Sequence, residues 1–137
     1  IAFMDLDDFK QVNDEHGHPA GDEILKAVAR VLNSGVRSID VCGRIGGEEF
    51  LLMFVAAKEE YALSICDRLR STIESQNVIV GDTVLCCTAS FGVAQWQPGD
   101  SIGDLVQRAD RALYKAKHSG KNSVAAASTL GDESRKS

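Results

Sequence analysis

Apolar and polar positions along this chain follow two periods, and the switches between them mark out its elements. Ile1 to Leu6 is apolar and β-prone and runs into Asp5-Leu6-Asp7-Asp8. That is the pattern of a buried strand delivering acids at its C-terminal end. Phe9 to Glu15 reads as a short helical turn stopped by His16-Gly17-His18-Pro19, and Gly21-Asp22 then opens a long helix. Its stripe is Ile24, Leu25, Val28, Val31 and Leu32, a buried amphipathic face closed by Asn33-Ser34-Gly35. Asp40 to Ile45 and Phe50 to Val55 are β-prone runs on either side of Gly46-Gly47, which predicts a hairpin with a two-residue turn. Lys58 begins a helix whose inward stripe is Ala62, Ile65, Cys66, Leu69 and Ile73. Val78 to Val80, a Gly81-Asp82 turn and Thr83 to Ala94 read as a strand pair with a long, central second strand. Ser101 to Ser119 is the last helix, with Ile102, Leu105, Val106, Ala109, Leu113 and Ala116 inward. Ser101-Ile102-Gly103-Asp104 resembles a capping box with Asp in place of Glu. Asn122 to Ala127 closes as a strand, and Ser128 to Ser137 is polar and small enough to be a disordered tail.

The order β-α-α-β-β-α-β-β-α-β, with a hairpin in its middle, requires antiparallel pairs. The expected fold is an α/β (α+β) sandwich: a mixed sheet of about five strands covered by helices. No Gly-x-Gly-x-x-Gly follows a strand and no Walker loop is present. The 137 residues suffice for one domain, expected over 1–127, with the tail at 128–137. The chain opens Ile-Ala-Phe-Met, already inside a strand, and reads as a piece of something longer.

Composition narrows the function classes. At 44% hydrophobic and 26% charged residues, the chain is an ordinary globular domain. A net charge of -5 argues against a grip on a nucleic-acid polymer but leaves room for a nucleotide. The longest wholly apolar run, Phe50 to Ala57, is too short to span a bilayer, and no membrane contact is expected of this segment. Cys42, Cys66, Cys86 and Cys87 form no Cys-x-x-Cys and read as reduced core residues of a cytoplasmic protein rather than a zinc site.

The candidate chemistry is acidic. Asp5 ends the first strand and Glu48 sits at the hairpin tip. If those strands are neighbours, the carboxylates converge and call for a divalent cation between them. Asp7 and Asp8 read as acids at a helix start. Asn13 and Asp22 flank the His16–Pro19 turn; an amide and a carboxylate together can read a guanine edge, or can serve only as local helix-end residues. Lys117 and Lys121 either suit a helix C-terminus or reach phosphate oxygens. The glycines Gly46 and Gly47 would let a ligand approach the backbone, though a solvated hairpin would also carry them.

Asp5-Leu6-Asp7-Asp8-Phe9-Lys10, Asn13-Asp14, Gly17-His18, Gly21-Asp22, Arg44-Ile45-GGEEF, Ser90-Phe91-Gly92-Val93, Arg108-Ala109-Asp110, Ala112-Leu113-Tyr114, Ala116-Lys117 and Gly120-Lys121-Asn122 occur in order. This series resembles the GGDEF domain, the diguanylate cyclase family, from Asp5 to about Val124. The resemblance implies a fold related to the palm of class III nucleotidyl cyclases and polymerases. It implies condensation of two GTP into cyclic di-GMP and two pyrophosphates between two protomers, each holding one GTP. Asp5, Glu48 and the Leu6 carbonyl would hold Mg2+, or Mn2+. Glu48 would be general base, with Glu49 able to share the work. Asn13 and Asp22 would read guanine, with His18 a weaker contact and Leu25 packed on the base. Lys10, Lys117 and Lys121 would contact phosphates. Arg37-Ser38-Ile39-Asp40 matches the family's RxxD inhibitory site for cyclic di-GMP, and Arg68 a further arginine of that site. The family's usual first helix lies upstream of this pattern and is not in the sequence. Three other functions compete: a GTP or cyclic di-GMP receptor without turnover, a cyclase for another base, and a palm-type polymerase. The intact Asp5, Glu48 and Glu49 weigh against the first. Asp22 weighs against the second and the acidic charge against the third.

Overall fold

The computed structural model describes residues 1–130. In chain order the elements are β1 (Ala2–Leu6), α1 (Phe9–His16), α2 (His18–Gly35), β2 (Val41–Arg44), β3 (Glu49–Met53), α3 (Glu59–Glu74), β4 (Val78–Val80), β5 (Thr83–Leu85), β6 (Ala89–Val93), α4 (Ile102–His118) and β7 (Val124–Ala126). Five strands form one sheet in the order β2-β3-β1-β6-β7, and β4 and β5 form a separate pair. β1 is antiparallel to both β3 and β6, and β7 runs parallel to β6. The sheet is therefore mixed, as the element order requires.

Strand alternation divides the core. Ala2, Met4 and Leu6 point to one face with Phe50, Leu52, Phe91 and Val93, where they meet Ile24, Val28 and Leu32 of α2 and Ile65, Leu69 and Ile73 of α3. Phe3 and Ala125 point to the other, against Ala109, Ala112 and Leu105 of α4. All five residues of β6 are buried, the mark of a strand covered on both sides. α4 comes unusually near β6 at Gly92, where an added Cβ would stand 2.1 Å from the Leu113 amide nitrogen and 2.3 Å from the Ala109 carbonyl oxygen. The capping box at the start of α4 is formed: Ser101 accepts from the Asp104 amide, and Asp104 accepts from the Ser101 amide.

Several expectations change. Thr83 to Ala94 is not one strand; it breaks at Cys86-Cys87-Thr88 because the chain changes partner there, leaving β4 and turning to the main sheet. α2 starts at His18 rather than Gly21, since Pro19 in its first turn has a suitable fixed φ and no amide to lose. The N-terminal half of α4 leaves Ile102 and Val106 exposed; only Ala109, Ala112, Leu113 and Ala116 are buried. Cys66 is buried and all four cysteines are free, but Cys86 is exposed. After β7 the chain makes a helical turn, with Leu130 packed on the α4 side of the sheet. The remainder of the expected tail, 131–137, lies outside the described residues. Among the described residues no helix is long and apolar enough to cross a membrane.

Candidate active site

The end of β1 and the β2–β3 turn meet. Asp5 pairs with Glu49 across β1 and β3, and the Leu6 amide donates to the Glu48 carbonyl at 3.2 Å. The turn is wider than the two-residue hairpin expected from Gly46-Gly47: Ile45 donates to the Glu49 carbonyl at 2.9 Å, so Gly46, Gly47 and Glu48 all lie in the bend. Neither glycine has positive φ, so the mirror-image turn that Gly-Gly favours is not used. Arg44 draws the turn in, donating through Nε to the carbonyls of Gly46 and Gly47 at 3.0 Å each. Nothing of the chain lies near an added Cβ at Gly47, which leaves open space for a ligand against the backbone.

Burial raises the Glu48 carboxyl above its ordinary value, the charges of Asp5 and Glu49 raise it further, and Lys117 opposes them. These carboxylates thus share one field and repel. Among the described residues no three His, Cys, Asp or Glu side chains converge as a metal cage. Two carboxylates and a carbonyl, leaving positions for water and phosphate, is a donor set of hard oxygens that suits magnesium better than zinc. The residues therefore fit the divalent ion expected of Asp5, Leu6 and Glu48.

Lys117 reaches across from α4. Its Nζ lies 2.8 Å from Asp5 Oδ1 and 2.7 Å from Asp7 Oδ1, and donates to the Asp5 carbonyl at 3.2 Å. Lys121 pairs with Asp8 at 2.6 Å. Asp8 stands at the N-cap of α1 but makes no side-chain cap bond. Asp7 is no helix cap either: it is buried, and its carboxylate accepts from Thr88, Ser90, Lys117 and the Asn122 amide. Burial pushes the Asp7 carboxyl up, and those four donors outweigh it and hold it below its ordinary value. From the sequence, Asp7 had only a place at a helix start, and its partners Thr88 and Ser90 and the turn clamp of Arg44 had no assigned role. The only available signal was that Asp7 alternates with Leu6 at a strand end.

A cavity of about 410 Å³ opens between α2 and the β2–β3 pair, lined by Asp22, Leu25, Cys42, Arg44 and Phe50 among others. It has the apolar wall and single carboxylate that a flat base needs. Asn13 is not in its wall. The Asn13 Oδ1 is buried without a hydrogen-bond partner and packs on Gly21, where an added Cβ would lie 2.0 Å away. Lys10 and His18 are exposed on α1 and α2 and do not line the cavity.

Residues 1–123 match the family model described as "Diguanylate cyclase, GGDEF domain". The chain belongs to the GGDEF family. Diguanylate cyclase A of Treponema denticola is 36% identical over 90% of this chain and 34% of its own length. Diguanylate cyclase DgcM of Escherichia coli K12 is 39% identical over 93% of this chain and 30% of its own. The chain thus spans about a third of the length of these curated relatives. Among solved structures, the GGDEF domain of DgcB from Caulobacter crescentus, in complex with c-di-GMP, superposes with a TM-score of 0.89 at 32% identity, covering 93% of this chain and 76% of that one. The active GGEEF domain of a Vibrio cholerae diguanylate cyclase gives 0.84 at 32% identity, covering 91% and 80%.

This GGDEF domain carries a second polar cluster ahead of β2. Arg37 grips Asp40 through Nε at 3.0 Å and Nη2 at 2.9 Å, and also donates to the Val55 carbonyl at 2.8 Å. Asp40 accepts further from the Val55 amide and the Arg37 amide, and its side chain is 1% exposed against 38% for Arg37. The Arg37 hydrogen bonds hold the Asp40 carboxyl below its ordinary value. The pair is thus more than the loose surface ion pair its sequence would also allow. The Arg37 guanidinium also sits 4.9 Å over the Tyr61 ring. Arg68 donates to the Gly35 carbonyl at the end of α2, two residues from Arg37 in the chain.

Proposed function

We propose that this GGDEF domain is the catalytic part of a diguanylate cyclase that condenses two GTP into cyclic di-GMP. The observation that carries this is the meeting of Asp5 and Glu48 at the end of β1, with Lys117 beside them and the Asp22–Leu25 cavity alongside. Asp5, Glu48 and the Leu6 carbonyl are the groups that would hold magnesium. Magnesium when bound supplies positive charge for the triphosphate and the oxygens that gain charge in phosphoryl transfer.

The chain's own residues do the rest. Asp22 accepts from the guanine N1–H and N2–H, and Leu25 packs on the ring; Asn13 completes the recognition. Lys10, Lys117 and Lys121 meet phosphate oxygens. The 3′-hydroxyl of one GTP attacks the α-phosphorus of the other, an O–P bond forms, and pyrophosphate leaves with the electrons of the broken O–P bond. Glu48, at the hairpin tip beside Asp5, takes the hydroxyl proton. One domain presents one GTP, so two protomers meet face to face, and proximity supplies much of the rate. Product inhibition is assigned to Arg37 and Asp40, with Arg68 nearby; the half-exposed Arg37 has donors free for a phosphate, whereas Asp40 must first loosen its bonds. The site of action is the cytoplasm, where GTP is abundant.

The test is turnover of GTP with magnesium, with the products separated. Cyclic di-GMP and pyrophosphate from the wild-type chain, and none from Glu48→Ala with its circular dichroism and melting unchanged, are the expected results. GTP bound by wild type without product would instead make the domain a receptor. Full activity in Glu48→Ala would remove its assigned role.

A further inference from the structure

We infer that Asp7 is a positioning residue that tethers Lys117, and the loop carrying Lys121, at the phosphate end of the site. The inference rests on the functional reading of those lysines given above. Asp7 and Ser90 are the buried polar residues among those described. A buried carboxylate is costly unless its oxygens are fully bonded. Here each oxygen accepts twice: Oδ1 from Ser90 Oγ at 2.8 Å and Lys117 Nζ at 2.7 Å, Oδ2 from Thr88 Oγ1 at 2.7 Å and the Asn122 amide at 2.9 Å. β1, β6, α4 and the loop before β7 are thereby pinned at one point.

Two features make this tether more than packing. A lysine ammonium has three N–H groups; that of Lys117 donates to Asp7 Oδ1 and to the Asp5 carbonyl and forms an ion pair with Asp5 Oδ1 at 2.8 Å. A phosphate oxygen competes with the Asp5 carboxylate for it. Asp7 keeps its hold because three other donors fix it in place, whereas Asp5 is the acid at the reacting end. The loop is the second feature. Gly120, Lys121 and Asn122 all have positive φ, at 107°, 61° and 44°. Two consecutive non-glycine residues in that region are strained and persist only where the surroundings hold them. The Asn122 amide bond to Asp7 and the Lys121 amide bond to the Ala116 carbonyl, at 3.1 Å, hold them from the backbone, while Arg70 and Glu74 hold the Asn122 side chain and Asp8 pairs with Lys121. Asp7 therefore positions Lys117 directly and contributes, through the Asn122 amide, to the backbone that carries Lys121.

The chosen variant is Asp7→Asn, because an amide turns one of its two faces into a donor, against Lys117 or against the Asn122 amide. Binding is read by calorimetry with a non-hydrolysable GTP analogue and, separately, with guanosine, in magnesium. The expected result is an affinity for the analogue about tenfold weaker, the size of a lost bond to a charged group, with guanosine within about twofold. In a Lys117→Met background the same substitution should cost much less. Equal losses for both ligands, or a tenfold loss that persists without Lys117, would make Asp7 merely structural. Should Asp7→Asn fail to fold, the 15N-labelled ammonium of Lys117 in the wild-type chain decides. It should stay protected from solvent exchange when the analogue is added, and free exchange overturns the tether. Should wild type bind neither ligand, the functional reading falls by itself. Amide exchange at Asn122 then settles Asp7: faster in Asp7→Asn supports the tether, unchanged overturns it.

Discussion

Arg37 and Gly92 show how much a single residue decides here. Arg37 forks onto a carboxylate that is almost fully covered, and Asp40 retains two backbone donors, the Val55 and Arg37 amides, when the guanidinium is gone. Arg37→Ala should therefore fold while losing the donors offered to an inhibitor. Its turnover should continue at cyclic di-GMP concentrations that stop the wild type, and an unchanged inhibition curve would remove the assignment of Arg37. Gly92 is the opposite case, a residue without a side chain whose absence is essential. A Cβ there would meet the α4 backbone at 2.1 Å, and backbone cannot swing aside as a flexible side chain can. Gly92→Ala should destabilise the domain by about 3 kcal/mol, the upper end for overpacking, read as a lower denaturant midpoint at unchanged slope. Residue-level roles were unevenly legible. Asp5 at a strand end and Glu48 at a hairpin tip could each be placed because those are local features, whereas their meeting depended on β1 pairing with β3. Asp7 could not, because its partners Thr88, Ser90 and Lys117 lie more than eighty positions away and nothing in its neighbourhood announces them.

At the scale of elements, the helices were legible where propensity and burial agree. The α3 stripe is buried as read, the α2 stripe is buried except for the partly exposed Val31, and Ser101 with Asp104 forms the cap their spacing suggested. Legibility failed where a boundary depends on tertiary pairing. Thr83 to Ala94 has a uniform strand-like pattern, and only the pull of Asp7 and its amide on Thr88 shows why the ladder changes sheets there. The loop before α4 has its own organiser. Arg108 grips Asp100 with both oxygens at 2.7 Å and donates to the Gln95 carbonyl at 2.8 Å, while the Gln97 amide donates to Asp100 at 2.8 Å. The Arg108 bonds hold the Asp100 carboxyl down to about 2, below its ordinary 3.8. A depressed carboxyl contributes stability that is present above its unfolded value and lost as pH falls through its folded one. The loop should accordingly loosen between about pH 4 and pH 2. Trp96, the single tryptophan, lies within it and reports the change by fluorescence. In Asp100→Asn the fluorescence should already have its acid form at neutral pH; a transition that survives the substitution would assign it to another carboxylate.

For the whole molecule, the proposed reaction needs two nucleotides, and one domain would hold one of them. Two bonds must form in cyclic di-GMP, and each joins the hydroxyl of one GTP to the phosphorus of the other. A domain with one Asp5–Glu48 end and one Asp22–Leu25 cavity can serve one nucleotide. Below the concentration at which the pair forms, the rate should grow with the square of the protein concentration, so that specific activity rises in proportion to it. A reaction completed within one domain would give a specific activity that is flat. Mixing sharpens the distinction. Glu48→Ala retains its cavity and its lysines, so it should pair with wild type and hold GTP. A mixed pair has one competent Glu48 and forms at most one of the two bonds. Adding excess Glu48→Ala to a fixed amount of wild type should therefore suppress cyclic product and release linear dinucleotide. If wild type works alone, or if Glu48 is dispensable, the added variant leaves the yield of cyclic di-GMP unchanged or raises it. Those outcomes separate an error about pairing from an error about Glu48, since only the latter leaves Glu48→Ala active by itself.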